Sequence, residues 1–159
     1  MIVVSDASPL ICLAKAGHLL LLERLYKNVL IPPEVRREIT SIQSPEAEEI
    51  RGAFWIETVS VVDQSTYNYL CKTLDSGEAE AIVLALETNA DFLLIDERLG
   101  RRFAASFDIQ VIGLLGVFLR AKKVGLIPSV KPLLEDLKSK SDFWIDESLY
   151  LEILKIAVE

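Results

Sequence analysis

Four carboxylates stand beside the apolar segments of this sequence, where side chains from distant parts of the chain can converge. Asp6 directly follows the apolar run IVVS, and Asp96 directly follows the run FLLI. Glu78 lies at the start of an alanine-rich helical segment, and Glu38 lies in the helical segment after another apolar run. In an open parallel sheet, sites form beyond the carboxyl ends of the strands, where the strand order reverses. We therefore expect at least two of these carboxylates, and in the fullest case all four, to meet at one edge of a sheet.

Carboxylates gathered in one pocket repel one another and raise each other's pKa, which lowers stability unless a cation neutralises them. Hard divalent cations such as Mg²⁺ and Mn²⁺ prefer oxygen ligands, and Mg²⁺ is commonly held by one or two carboxylates together with water and substrate phosphates. Such a site supports metal-assisted hydrolysis of a phosphodiester bond, because a bound metal activates water and stabilises the leaving oxygen.

Each of the four carboxylates also has a purely structural interpretation. Asp6 and Asp96 could cap the helices that follow them, and Glu78 would interact favourably with the dipole of its own helix. Glu38 could be a solvated residue that pairs with a neighbouring arginine. The spacing of the residues alone leaves both interpretations open.

The elements that must position these carboxylates are short apolar strands separated by helices. We predict strands over residues 2–5, 29–32, 54–62, 92–95 and 109–113. Most of them are continuous hydrophobic runs, which favours a parallel sheet covered on both faces and hence an α/β fold. No linker divides the chain, so we predict a single domain over residues 1–159, with a C-terminal helical segment over about 129–159 packed on it.

The composition excludes several classes of protein. A chain of 159 residues with 51% apolar residues is too hydrophobic for intrinsic disorder, yet no apolar run approaches the ~18–20 residues that span a bilayer. The sequence opens without the charged segment of a signal peptide, and Cys12 and Cys71 fit buried, reduced thiols, so we expect a cytoplasmic protein. The net charge of −7 argues against tight nonspecific binding to nucleic acid. We expect Trp55 and Trp144 in the core or at an interface, rather than as a platform on which bases stack.

At these same residues the sequence resembles the PIN-domain family. VVSDASPLICLAKAG is similar to the family's first strand with its first acidic residue, Asp6. IPPEVRREI is similar to the second motif and carries Glu38, while LDSGEAEAIVLALETNADFLLIDERLGRR is similar to the third and fourth motifs and carries Glu78 and Asp96. The resemblance covers nearly the whole chain and is closest to a prokaryotic subgroup with a GEAEAI motif, which is related to VapC-type toxins.

The resemblance implies a PIN-like three-layer sandwich, with a central, mainly parallel sheet of four or five strands, and a ribonuclease that depends on Mg²⁺ or Mn²⁺. It assigns the metal to the carboxylates of Asp6, Glu38, Glu78 and Asp96. Glu80 is the alternative to Glu78; the two lie about 200° apart around one helix, so both cannot point equally well into the site. Ser8, two positions after the first acid, would orient water or a ligand carboxylate.

The resemblance also implies an RNA substrate, which water cleaves to leave a 5′-phosphate and a 3′-hydroxyl. It implies a homodimer and, for the toxin members, a small antitoxin protein as partner, with no membrane association. As contacts to the RNA phosphates we propose Arg98, Arg101 or Arg102, which follow Asp96 on one helix. A solvated helix face is the alternative interpretation of these arginines.

Two other functions compete with a metal-dependent ribonuclease. The first is a catalytically inactive protein that keeps the fold and serves interactions alone. The second is another Mg²⁺-dependent phosphoesterase, such as a phosphatase in which Asp6 is a covalent nucleophile. That chemistry commonly places a second Asp two residues after the first, where this sequence has Ser8, and the phosphatase is therefore disfavoured.

Overall fold

The computed structural model describes the whole chain, Met1–Glu159. It contains five short strands: β1 (Val3–Ser5), β2 (Val29–Ile31), β3 (Ile56–Thr58), β4 (Phe92–Leu94) and β5 (Val111–Ile112). Ten helices accompany them: α1 (Ala7–Ala16), α2 (Leu20–Tyr26), α3 (Pro33–Thr40), α4 (Pro45–Gly52), α5 (Gln64–Leu70), α6 (Ser76–Thr88), α7 (Arg98–Ser106), α8 (Leu114–Lys123), α9 (Lys131–Lys140) and α10 (Glu147–Ile156). No helix is long and apolar enough to cross a membrane.

The five strands form one parallel sheet with the order β3-β2-β1-β4-β5. The chain builds outward from β1 to β3 on one side, and then returns to place β4 on the other side of β1. The strand order therefore reverses between β1 and β4, where Ser5 pairs with Leu94. This confirms the α/β fold with a central parallel sheet, and it fixes the crevice beyond β1 and β4 as the place where a site is expected.

The central strands are apolar throughout because helices cover them. Val3, Val4 and Ser5 of β1 are fully buried, as are Leu93 and Leu94 of β4. Helix α6 packs against both strands, and its long run of buried residues explains why it is apolar almost all round. The crevice at the strand ends is consequently held by rigid, fully packed elements.

The predicted strand over residues 54–62 was wrong in its extent. Only Ile56–Thr58 forms a strand, at the edge of the sheet, and Phe54 and Val62 are 86% and 84% exposed. Apolar residues continue to alternate beyond these three, but β2, the one strand beside β3, is itself only three residues long. The pairing therefore ends at Thr58. Cys71 is exposed, and only Cys12 is a buried thiol as expected.

Each of the two C-terminal helices packs against a helix that precedes it in the chain. Helix α9 packs against α1, and α10 packs against α8. Asp146 caps α10 by accepting a hydrogen bond from the Leu149 amide at 2.7 Å. Between these helices the chain runs through residues 141–146, and this segment returns to the ends of the central strands.

Candidate active site

A cleft of about 470 Å³ opens at the carboxyl ends of β1 and β4. All five residues predicted to be catalytic contribute to its lining: Asp6, Ser8, Glu38, Glu78 and Asp96. Asp75, Glu97 and Asp142 add three more carboxylates, so we call this feature the acid cleft. Lys15 is the one basic residue in its lining.

Asp6 lies at the innermost part of the acid cleft. It follows β1 directly, and its backbone amide donates to the Leu94 carbonyl at 3.0 Å, which ties the residue to the neighbouring strand. Although Asp6 occupies the N-cap position of α1, its side chain makes no capping hydrogen bond. Its Oδ1 atom is buried and has no hydrogen-bond partner. Helix capping therefore does not account for this carboxylate.

Asp96 is held in place from the other side of the crevice. Its Oδ1 accepts a hydrogen bond from the Leu114 amide at the start of α8, at 3.2 Å, while its Oδ2 is buried without a partner. Gly113 directly precedes α8, and a Cβ there would lie 2.7 Å from Asp96 Oδ1 and 2.8 Å from an Arg101 nitrogen, so a larger residue would displace one or both of these groups. Asp96 does not cap the helix that follows it; Glu97 occupies that position.

Glu78 and Glu80 are almost equally buried on α6, at 7% and 8% exposed, but they serve different elements. Glu78 lines the acid cleft. Glu80 accepts a hydrogen bond from the Glu34 amide at 2.8 Å, which satisfies a free donor in the first turn of α3. Glu80 therefore anchors the neighbouring helix, whereas no such partner occupies the Glu78 carboxylate.

Glu38 lies on α3 at the outer part of the cleft, close to the turn that begins α6. A Cβ on Gly77 would lie 3.0 Å from Glu38 Oε2 and 3.7 Å from Asp6 Oδ1, so a glycine here lets the two acids approach the turn. Asp75 was not predicted as a site residue. It caps α6 by accepting from the Glu78 amide at 2.8 Å and also lines the cleft. In the sequence, Asp75 belongs to a turn before a helix, and this position indicates a structural residue rather than one that lines a cleft.

Four carboxylates of the cleft have raised pKa values, and burial is the largest cause in each. Burial, followed by the charges of neighbouring acids, raises the pKa of Asp6 to about 7. Burial and then Asp75 raise the pKa of Glu78 to about 7, and the same two causes raise the pKa of Glu38. Burial also raises the pKa of Asp96 to about 6, against the opposing effects of the Leu114 amide and Arg101.

The three arginines predicted to contact RNA are separated in the structure. Arg101 lies beside Asp96 and lines an adjoining cleft of about 400 Å³. Arg102 lines a different depression together with Leu99 and Phe103, and Arg98 is exposed without lining the acid cleft. Of the three arginines, Arg101 is the one that lies beside a carboxylate of the acid cleft.

The donor set of the acid cleft fits a hard divalent cation. Two buried carboxylate oxygens without partners, on Asp6 and Asp96, face a crevice where the remaining neighbours are mostly acids. No three of these side chains converge closely enough to form a complete protein cage around one ion. A site that uses one or two carboxylates and fills its other positions with water and substrate oxygens is the arrangement typical of Mg²⁺.

Comparison with known families finds a match over almost the whole chain. The family model described as DUF3368, PIN domain, matches residues 2–159. Among solved structures, the chain is similar to a PilT N-terminus domain protein, SSO1118, from the hyperthermophilic archaeon Sulfolobus solfataricus P2. The two share 17% sequence identity, with a TM-score of 0.49, and the alignment covers 92% of this chain and 99% of that one. None of the curated proteins matches the chain.

Proposed function

Since this chain belongs to the PIN-domain family, whose members are in general nucleases, we propose that it is a Mg²⁺- or Mn²⁺-dependent endoribonuclease. The observation that carries the proposal is the pair of buried carboxylate oxygens, on Asp6 and Asp96, that lack hydrogen-bond partners at the strand-order reversal. Leaving buried polar atoms unpaired costs stability. A cation bound to these two oxygens would offset this cost, which explains why they are left without hydrogen-bond donors.

Asp6, Glu38, Glu78 and Asp96 would together hold one or two ions, with water and substrate oxygens completing each coordination shell, and Glu80 would be a structural residue. Bound Mg²⁺ or Mn²⁺ supplies the activation of water and the neutralisation of charge on the phosphate. Asp6 and Asp96 provide the innermost oxygens, and the Leu114 amide keeps the Asp96 carboxylate oriented. Ser8 is exposed in the cleft wall, where its hydroxyl can orient water or a carboxylate.

The test is an RNA-cleavage assay with Mg²⁺ or Mn²⁺, against EDTA, using two matched variants. Glu78→Gln and Glu80→Gln each remove one buried charge from the same helix, and each keeps an acceptor oxygen. We expect Glu78→Gln to lose most of the cleavage and weaken Mn²⁺ binding in calorimetry, and Glu80→Gln to retain both. Equal losses would overturn the assignment of Glu78 over Glu80. Cleavage that persists in EDTA would overturn the metal-dependent mechanism.

The same assay separates the ribonuclease from its two rivals. An inactive interaction protein would bind Mn²⁺ with the same heat in wild type and in the Asp6→Asn, Asp96→Asn double variant, and would cleave no RNA. A phosphatase that uses Asp6 as its nucleophile would hydrolyse phosphate monoesters rather than an internally linked RNA strand. The unpaired carboxylate oxygens of the cleft favour a metal-binding enzyme over the inactive interaction protein, and Ser8, in place of a second Asp, disfavours the phosphatase.

We further propose that the protein acts in the cytoplasm as a homodimeric toxin restrained by a small antitoxin, which the sequence resemblance supports. Induced expression of wild-type protein should arrest growth of a bacterial host, while the Asp6→Asn variant at the same level should not. Arrest by both proteins would show that the effect does not depend on the cleft. Sedimentation velocity on the purified chain tests the homodimer.

A further inference from the structure

The segment over residues 141–146 forms one rim of the acid cleft and is anchored at almost every position. Asp142 pairs with Lys15 of α1 at 3.1 Å, across the cleft entrance. Phe143 packs against the core, Ile145 is 7% exposed, and Asp146 caps α10. These contacts fix the path of the segment from both ends, so it presents a defined surface to the cleft.

Trp144 is the exception within this anchored segment. Its neighbours on both sides turn inward, while Trp144 itself is 78% exposed and lines the cleft together with the carboxylates. The sequence predicts Trp144 in the core or at an interface. The core location is wrong, because the anchored neighbours hold the indole outward. A tryptophan offers a large flat surface at a low cost in conformational entropy, because only two torsion angles must be fixed.

The acidic lining of the cleft favours an aromatic surface over basic side chains as the means of binding a nucleic-acid strand. Proteins that hold single strands generally combine a basic groove with aromatic stacking platforms. Here Lys15 is the one cation in the lining, and it is already paired with Asp142. Direct contacts from basic side chains of the cleft lining to phosphate can therefore contribute little affinity, whereas stacking on a base does not depend on the charge of the surface.

We propose that Trp144 is the stacking platform for an unpaired base of the RNA strand that enters the acid cleft. This inference rests on the proposed nuclease function, and it adds that the substrate is single-stranded at the rim beside Trp144. A base in a duplex is already stacked and cannot present its face to the indole. The residue binds substrate and takes no part in the bond cleavage.

The experiment measures binding of two fluorescein-labelled oligoribonucleotides of equal length and charge, one intact and one abasic, by anisotropy in Ca²⁺. A denaturing gel checks that the strands stay intact. Trp144→Ala should weaken binding of the intact strand by about 5- to 150-fold, the range for loss of one stacked base. It should leave binding of the abasic strand and the salt dependence of binding unchanged. Trp144→Phe should restore most of the affinity.

Phe54→Ala is the matched control, because Phe54 is an aromatic residue that is 86% exposed and lies outside the cleft. Equal affinity of wild type and Trp144→Ala, or of the intact and abasic strands, would overturn the proposal. So would a dimer that dissociates in Trp144→Ala without a loss of RNA affinity, since Trp144 would then be an interface residue. Because these readouts are binding constants, they are independent of whether the RNA is cleaved in Mg²⁺ or Mn²⁺, which tests the nuclease function separately.

Discussion

The acid cleft and the carboxylate of Glu159 show two opposite environments for the same chemical group. The Glu159 side chain accepts hydrogen bonds from the Val130 and Lys131 amides at 2.7 and 3.1 Å. It is also contacted by the Ser129 hydroxyl and by the Lys122 ammonium, the latter at 3.0 Å. In the acid cleft, by contrast, Asp6 and Asp96 each keep a buried oxygen without any donor.

The pKa values of the two regions separate accordingly. Burial alone would raise the pKa of Glu159, but its four donors together lower the pKa to about 2. Burial and acidic neighbours instead raise the pKa of Asp6 to about 7. A carboxylate whose oxygens are all satisfied stabilises the fold, while one left unsatisfied needs an external partner. The difference assigns Glu159 to structure, and it supports the proposal that Asp6 and Asp96 bind a cation.

The largest expected effect comes from removing one acid of the cleft. Asp6→Asn should lower RNA cleavage in Mg²⁺ or Mn²⁺ by more than about 100-fold, because loss of even an outer-shell partner of a metal ligand costs 10–100-fold. In EDTA the free energy of unfolding should stay the same or rise, since a buried charge without a partner is removed. Rates of RNA cleavage measure the first effect, and urea unfolding in EDTA measures the second. A strong loss of stability without loss of cleavage would make Asp6 a structural residue.

Removing the satisfied carboxylate should have the reverse effect. Glu159→Ala should lower the free energy of unfolding by about 1.5–3 kcal/mol, the usual contribution of hydrogen bonds to a charged group, while cleavage per folded molecule is unchanged. Glu152→Ala, on the exposed face of α10, is the control and should change neither quantity. Urea unfolding midpoints decide the outcome, and a Glu159→Ala protein as stable as the control would contradict the structural role.

Gly113 tests whether the acids of the cleft depend on precise placement. A Cβ at this position overlaps the Asp96 carboxylate and Arg101, so Gly113→Ala should displace Asp96 and reduce Mn²⁺ affinity by about 10- to 100-fold. Gly52→Ala is the matched control, because a Cβ there meets nothing within 4 Å. Calorimetric titration with Mn²⁺ measures the change. Equal affinity in both variants would show that Asp96 has room to move.

The sequence predicted the parallel sheet, and it predicted that Asp6 and Asp96 follow strands, because both features depend on local pattern. Apolar runs that end in Asp6 and Asp96 place those residues at strand ends once the sheet is parallel. The choice between Glu78 and Glu80 could not be made from the sequence, because it depends on a hydrogen bond to Glu34, a residue 44 to 46 positions away.

The cleft rim was less predictable for the same reason. Trp144 lies in an apolar stretch that looks like core, and only the anchoring of its neighbours turns it outward. The missing Cβ of Gly113 makes room for Asp96 and Arg101, which lie 17 and 12 positions away in the sequence. Both features depend on contacts between elements that are distant in sequence, and helical or strand periodicity carries no information about them.

The comparison also predicts opposite effects of pH on the two regions. In EDTA, Asp6 and Glu78 have folded-state pKa values of about 7, above their ordinary values of 3.8 and 4.5. The folded state therefore keeps protons that the unfolded state has released, and stability should fall as pH rises from about 4 to 7. Each such proton costs about 1.4 kcal/mol per pH unit. For Glu159 the folded pKa of about 2 lies below 4.5, so its contribution is complete above pH 4.5 and is lost as pH falls toward 2.

Urea unfolding at pH values from 3 to 8 measures both limbs of the stability curve: the fall in stability as pH rises above 4, and the loss of stability as pH falls below 4. Asp6→Asn should flatten the limb above pH 4, and Glu159→Ala should flatten the limb below it. Because a metal binds the ionised carboxylates, Mg²⁺ or Mn²⁺ should stabilise the wild type more at pH 7 than at pH 5, and so reduce the slope of the upper limb. Stability in EDTA that rises between pH 5 and 7, and that Asp6→Asn does not alter, would mean that the cleft acids ionise without strain. In that case the contrast between the cleft and Glu159 would not distinguish functional from structural carboxylates.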